Sequence, residues 1–505
     1  SGTSDEEIKA LEEMARVFIA DYTNQFHLFE ETRPQEEAVL VSQCAYIGVY
    51  YTYLYDVLRA VQHQIGYALE LDTLLNDLVV MRIFEPASKL RSIELMEVYF
   101  GIKHRRQRYY ESAPKWLALK ERIEKKTLSF ARKQYGFNFS LLFYDVTTLY
   151  FETFTEDELR RNGFSKDNKS QQPQIVVALM VTPEGFPIGY ETFSGNAFEG
   201  HTLIPAIKSF IKKHKVEHFT VVADAAMIST ENVAALRSEK IKYIVGARLG
   251  NVAADLLSAI EATLPRTDGS TIRLKTDNGY LICSFSKKRY NKDKYEMQKQ
   301  IDRAKSLLSQ PSKVKRVKYL KSSDSKMVLN EKLIEKTTKL LGIKGYYTDI
   351  EEKAADNTTI ISRYHDLYKI EQAFRVSKND LQTRPIFHFK EDPIQLHMLI
   401  CFMALAVSKH IEITTEESLR ACLTHSKKIT DARLLNKITE KEIRMRAVVP
   451  AHLQEIIVEY DSYKKQFRRS DAREPDAIPV ESVEIDKSQK TNGEPFHMVT
   501  RDMSI

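Results

Sequence analysis

The segment Ser140-Leu-Leu-Phe-Tyr-Asp145-Val-Thr-Thr-Leu-Tyr150 decides the fold. A run this rich in aromatic and β-branched residues reads as a strand, and it carries a single acid. A second run, Phe219-Thr-Val-Val-Ala-Asp224-Ala-Ala-Met227, repeats the arrangement, a short apolar strand ending on an aspartate. Between the two lie strand-like runs at 174–182 and 186–194, joined by Pro183-Glu-Gly185 as a tight hairpin, and a helix-like stretch from Thr202 to Lys213. A helix from about 229 and a strand at 242–248 follow. Three strands and then alternating helices and strands make an α/β chain.

Farther on, Tyr364-His-Asp-Leu-Tyr-Lys-Ile-Glu371-Gln-Ala-Phe-Arg375-Val-Ser-Lys378 reads as one helix. Residues seven apart drift only about 20° around a helix, so Tyr364, Glu371 and Lys378 share a face, with Arg375 beside them. Leu367, Ile370 and Phe374 form the neighbouring apolar stripe, which leaves Glu371 at the margin of the buried face. A hard divalent cation needs oxygen ligands and keeps positions for water and phosphate, so Asp145, Asp224 and Glu371 are candidates to hold Mg²⁺ or Mn²⁺. Two such ions can activate an attacking water or 3′-hydroxyl and stabilise the leaving oxygen. Singly, a strand-terminal Asp is often a turn former, and a Glu with a Lys on one face is often a solvated pair. The three together favour phosphoryl-transfer chemistry on nucleic acid.

These residues resemble bacterial insertion-sequence transposases with an Asp-Asp-Glu core and a Tyr-Arg-Glu-Lys signature. Tyr364, Glu371 and Lys378 match that signature in register, and Leu367 stands where the family has Arg. Gly163-Phe-Ser-Lys-Asp167, Gly195-Asn196 with Glu199 and Thr202, Tyr243-Ile-Val-Gly-Ala-Arg248-Leu and Arg384-Pro-Ile-Phe-His388 are also similar, and the resemblance spans roughly residues 75–410. It implies an RNase H-like mixed five-stranded sheet flanked by helices and interrupted by a β-rich insertion before the glutamate. It further implies two metal ions per site on Asp145, Asp224 and Glu371, double-stranded DNA (transposon ends and target) as partner, and a homodimer in a paired-end complex. No nucleotide cofactor is implied. Tyr364, Arg375 and Lys378 would hold phosphates, with Arg248 a further contact. Tyr346 and Tyr347 are candidates by position for stabilising a flipped base, or else ordinary core tyrosines.

The 505 residues, 43% hydrophobic, are enough for several domains. The net charge of +6 is concentrated. From Lys287 to Lys321 there are 13 Lys/Arg against three acids, so the remainder is net acidic. Within that stretch Lys287, Lys288, Arg289, Lys315 and Arg316, interleaved with tyrosines, suit a phosphate-neutralising surface. The four cysteines (Cys44, Cys283, Cys401 and Cys422) have no zinc-ligand or disulfide-framework spacing. The first residues do not read as a signal sequence, and the apolar stretch Ile394 to Val407 is too short for a bilayer. A bacterial cytoplasmic, nucleoid-associated protein with no membrane partner is expected. In Ile394 to Ile411 a buried core helix is expected, with His397 a core histidine.

The expected organisation is a helical DNA-end-binding region at 1–135, a catalytic core at 136–250 and 359–411, and a basic insertion at 251–358. A helical dimerisation or DNA-binding region at 412–469 and a disordered tail at 470–505 complete it. Two alternatives stay open: a metal-dependent endonuclease of the same fold without strand transfer, and a non-catalytic DNA-binding derivative.

Overall fold

The Asp145 segment forms strand β1, Leu142–Tyr150, in a computed structural model that describes residues 39–67, 72–216, 219–227, 229–308, 317–323, 326–448 and 497–498. All of β1 except Asp145 and Tyr150 is buried, so both of its faces are covered. Strand β2, Gln174–Val181, is buried throughout and pairs antiparallel with β1. A tight turn with Gly185 at φ +89° leads to β3, Pro187–Ser194. Strand β4, Thr220–Ala223, then runs parallel to β1, and β5, Lys242–Ala247, runs parallel to β4.

The sheet does not stop at five strands. From the insertion come β6, Thr271–Thr276, and β7, Gly279–Phe285, joined at the Asp277-Asn-Gly279 turn with Gly279 at φ +86°. Strands β8, Leu320–Ser323, and β9, Lys326–Leu329, form a separate hairpin. Strand β10, Ile343–Thr348, pairs antiparallel with β5 on one side and β7 on the other. The resulting order is β3-β2-β1-β4-β5-β10-β7-β6, eight strands where five were expected. The physical reason is the open edge of β5. Its backbone groups need partners, and three strands of the insertion supply them.

Helices cover this sheet. The N-terminal group comprises α1 (Thr52–Ile65), α2 (Thr73–Phe84), α3 (Lys89–Phe100), α4 (Arg106–Leu117) and α5 (Lys120–Tyr135). Asp72 caps α2, accepting from the Leu74 N–H at 2.9 Å, and Ser88, just past Pro86, caps α3. Between the strands lie α6 (Glu199–His214), α7 (Thr230–Ser238), α8 (Ala254–Thr263), α9 (Lys287–Leu308) and α10 (Glu331–Lys339). With α9, α10 and the β8–β9 hairpin sharing a small core around Met297, Ile301 and Tyr319, the insertion is mixed α and β.

The segment Tyr364 to Lys378 is not one helix. It divides into α11 (Asn357–His365), α12 (Tyr368–Arg375) and a π-turn at Val376–Asp380. Helix α13, Glu391–Thr415, is buried from Leu396 through Ile411 and packs against α1, α2, α4 and β3. At 25 residues and a mean hydropathy of 1.5 in its most apolar window it is long and apolar enough to cross a membrane, yet 94% of that window is buried inside the protein. It closes the core, as the sequence suggested. Helix α14, Leu419–Ser426, follows.

The chain divides into two compact units, of which the larger contains Tyr51–Lys428. The N-terminal helices therefore share the core unit with the sheet. The described part of the smaller unit contains a three-stranded antiparallel sheet of Cys44–Tyr50, Asp431–Asn436 and Glu442–Arg446. There Arg446 holds the fully buried Asp431 in a bidentate ion pair, at 2.8 and 3.0 Å. Residues 431–446 were expected to be helical and are a hairpin. Residues 1–38 of the region expected to be helical, residues 449–469, the tail from 470, and Lys315 and Arg316 lie outside the described residues, apart from His497–Met498 in a short strand.

Candidate active site

Strand register brings the two aspartates together. In the β1–β4 pairing Leu142 lies opposite Val221, Phe143 opposite Val222 and Tyr144 opposite Ala223. The next step places Asp145 beside Asp224. Asp224 follows β4 directly, exposed, and its Oδ1 accepts from the Ala225 N–H at 2.7 Å as the chain enters a short 3₁₀ turn.

Asp145 is half-buried. Burial pushes its carboxyl up to about 6, with like charge from Asp224 and Glu199 adding, against the pull of Lys166 and the Val146 N–H. Lys166 donates to the Val146 carbonyl at 2.6 Å and pairs with Glu199 at 3.0 Å. Helix α11 supplies Tyr364, whose hydroxyl donates to Asp224 at 3.1 Å. The Tyr364 ring meets Tyr346 edge-on at 4.9 Å and lies beneath the Lys344 ammonium at 4.8 Å. Tyr364 and Lys344 each feel the charge of both Asp224 and exposed Glu371. Helix α12, which carries Glu371, packs on β1 and β2.

Among the described residues no three His, Cys, Asp or Glu side chains close into a metal cage. The arrangement is an open one, two aspartates on adjacent strands with Glu371 on the helix packed over β1 and β2. It fits Mg²⁺, which binds through one or two carboxylates and keeps several waters, and the crowding of like charge at Asp145 is what a bound cation relieves.

The other expected residues scatter. Lys378 pairs with Asp167 at 3.1 Å, and Arg384 reaches the same carboxylate oxygen at 3.1 Å. Arg375 is exposed one turn beyond Glu371. Arg248 is exposed at the end of β5, and Lys287 and Lys288 are exposed at the start of α9. Arg289, from the same run, lines a cavity together with Asp224 and Tyr364. Tyr346 is fully buried, so its ring packs in the core and does not reach a base, while half-buried Tyr347 packs on the apolar cluster of the insertion. His388 does not approach the carboxylates. Its Nε2 and Nδ1 of His397 both receive the buried Lys89 ammonium, at 2.9 and 2.6 Å, and His397 Nε2 donates to the Thr383 carbonyl at 2.9 Å.

Three residues were not singled out from the sequence: Lys344, Lys336 and Lys318, all beside the same cavity. Lys344 had a usable signal. It is a lone lysine inside the apolar strand Ile343-Lys-Gly-Tyr-Tyr-Thr348, and lysines are seldom placed there without a role.

The architecture is a mixed α/β sheet with an aspartate within one strand and another just past the end of its parallel neighbour, and comparison specifies the class. Residues 137–407, more than half of the chain, match the transposase DDE domain family, and the chain belongs to that family. No curated protein matches it. Among solved structures, the cryo-EM structure of the piggyBac transposase synaptic complex with hairpin DNA is similar at 10% identity and a TM-score of 0.35, over 84% of this chain and 73% of that one.

Proposed function

We propose that the protein is an insertion-sequence DNA transposase that cleaves the element's inverted-repeat ends and joins their 3′ ends to target DNA, through Asp145, Asp224 and Glu371. The observation that carries this reading is the β1–β4 register. Carried one residue past Tyr144 and Ala223, it supports a pairing of Asp145 with Asp224, to which Tyr364 hydrogen-bonds, and Glu371 rides on the helix packed over β1 and β2. The triad would hold two Mg²⁺ or Mn²⁺ ions, whose chemistry is activation of water or a 3′-hydroxyl and stabilisation of the leaving oxygen.

The protein's own groups position the reactants. Tyr364 fixes the rotamer of Asp224 through its hydroxyl. The Lys166–Glu199 pair holds positive charge near Asp145. In the first step a water oxygen bonds to the scissile phosphorus, the bond from phosphorus to the 3′-oxygen breaks, and that oxygen takes a proton. In the second, the free 3′-hydroxyl loses its proton as it attacks a target phosphodiester and displaces another 3′-oxygen. Catalysis of this type is positioning and charge neutralisation, with no covalent enzyme intermediate. A homodimer would hold paired ends in the bacterial cytoplasm.

The test incubates the full chain with labelled linear DNA carrying its element end, a supercoiled target plasmid and Mg²⁺. Wild type is expected to yield joined products, and Glu371→Gln none. Cleavage without joining would replace the transposase reading with the endonuclease one, and end binding alone would leave only a DNA-binding derivative. Metal removal by chelation is expected to abolish cleavage and joining while end binding persists.

A further inference from the structure

The three-stranded sheet of the smaller unit has two unlike faces. Cross-strand partners point to the same side of a sheet. Val49 lies opposite Ala432, which lies opposite Met445, and Tyr46 lies opposite Leu434, which lies opposite Ile443. The register shifts between these two rows, where Ile47 is the extra residue, and this bulge keeps Tyr46 and Val49 on one side although they are three apart in sequence. One face is therefore wholly apolar. The other carries Arg433, Arg444 and the Asp431–Arg446 ion pair. Such a division belongs to a sheet packed on one side, yet Tyr46 is 65% and Val49 47% exposed, and the other four apolar residues are only half-buried. Among the described residues the apolar face lacks a full second layer.

We propose that residues 5–21 of the same chain, which lie outside the described residues, dock on this face as an amphipathic helix. Ser4 and Glu7 have the spacing of a capping box, and at 100° per residue Ile8, Leu11, Met14, Ala15, Phe18 and Ile19 fall on one stripe. Charge matches as well. Residues 5–21 hold six acids against two cations, whereas residues 431–446 hold five Lys/Arg against three acids. Size decides between occupants. Three strands about 4.8 Å apart, with a rise of about 3.3 Å per residue, give a face of roughly 14 by 20 Å. A helix over residues 5–21 is about 25 Å long and about 10 Å wide, enough to cover it. The same face set against a second copy would bury roughly 280 Å² on each side, far below the about 800 Å² per partner of a stable dimer. Residues 22–38 can span up to about 50 Å, so the connection to the strand at Cys44 imposes no strain. With its stripe turned down, the helix directs Glu6 and Glu13 outward, and the covered face repels phosphate where a DNA-end-binding arm would attract it.

The test is amide hydrogen exchange on the full chain. In wild type the amides of Ile8 to Ile19 are expected to exchange at least about tenfold more slowly than in a free peptide of the same sequence. Tyr46→Glu/Val49→Glu sets two acids beneath an acidic helix and is expected to return these amides to the peptide rate, while those of the 431–446 hairpin stay slow and show that the sheet is folded. Tyr46→Phe should keep the protection. From the other side, Leu11→Glu/Phe18→Glu leaves the sheet untouched and is expected to raise binding of the dye ANS as the apolar face is bared. Exchange at the peptide rate in wild type, protection that survives in Tyr46→Glu/Val49→Glu, or unchanged dye binding in Leu11→Glu/Phe18→Glu overturns the docking. Protection lost on dilution, together with a fall from two-chain to one-chain mass by light scattering, overturns the own-chain occupant and assigns the face to the helix of a second copy. No DNA enters these measurements, so each outcome leaves the transposase reading where it stood.

Discussion

Gly246 shows how closely the site is fitted. It lies in β5 directly opposite Tyr346, and a Cβ built on it would stand 2.5 Å from the Tyr364 hydroxyl and 3.1 Å from the Ala225 side chain. Any larger residue must therefore push Tyr364 off Asp224. Tyr364→Phe removes one hydrogen bond to a carboxylate, a loss of about 1.5–3 kcal/mol, and the cleavage rate is expected to fall about tenfold with little change in DNA affinity. Gly246→Ala should cost more than that, because the ring itself moves. In Gly246→Ala/Tyr364→Phe, where the hydroxyl is gone, the two losses should be less than additive, leaving the residual clash with Ala225. Single-turnover cleavage of the four proteins closes the cycle, and strict additivity would show that Gly246 and Tyr364 do not act through one contact.

Leu367 makes the corresponding point for an element. It occupies the junction between α11 and α12, 6% exposed, at the position where the resembled Tyr-Arg-Glu-Lys pattern would put arginine. Leucine there belongs to the apolar stripe with Ile370 and Phe374, so the position packs in the core of this chain. Restoring the residue, Leu367→Arg, would bury an unpaired guanidinium. It is expected to destabilise by roughly 3 kcal/mol, seen as a drop of several degrees in Tm, without raising DNA affinity. The break at this junction was not legible, because periodicity over Tyr364 to Lys378 fits one helix. A π-turn after Arg375 then changes the register, and Lys378 meets Asp167. The strands carrying Asp145 and Asp224 were legible for a local reason, apolar β-branched runs ending at turn signals. Extension of the sheet by β10, β7 and β6 was not, since strand pairing across some hundred residues leaves no mark in a local pattern. The hairpin at 431–446 escaped for yet another reason. Its turn has no glycine: Glu440 takes φ +55°, and Asn436 Oδ1 accepts the Ile438 and Thr439 N–H groups.

For the molecule as a whole, burial of titratable groups around α13 sets the dependence of stability on pH. His410, 1% exposed between Tyr135 and Phe130, is lowered by burial to about 4, and His397, 5% exposed, lies well below the usual histidine range through burial and the neighbouring Lys89 and Arg82 charges. In the unfolded chain both take up protons near 6.5, so between that pH and their folded values the unfolded state binds more protons. Their contribution to stability is therefore complete above about pH 6.5 and is lost as pH falls toward 4, at up to about 1.4 kcal/mol per pH unit for each. Lys89 acts in a different window. Burial and the Arg82 charge lower it to about 7, so from about pH 7 to 10.5 the unfolded state again holds the extra proton and stability rises with pH. Asp145 opposes the histidines in this window: raised to about 6 by burial, it holds its proton more tightly folded than unfolded, so between about pH 6 and 4 it adds stability as pH falls, which offsets roughly one of the two histidines. The expected outcome is a urea-unfolding free energy that falls steadily as pH drops from 6.5 to 4, and that falls less steeply in His410→Gln, which keeps hydrogen-bonding groups beside Tyr135 but cannot titrate. An unchanged slope in that variant would show that His410 is not held neutral in the folded protein.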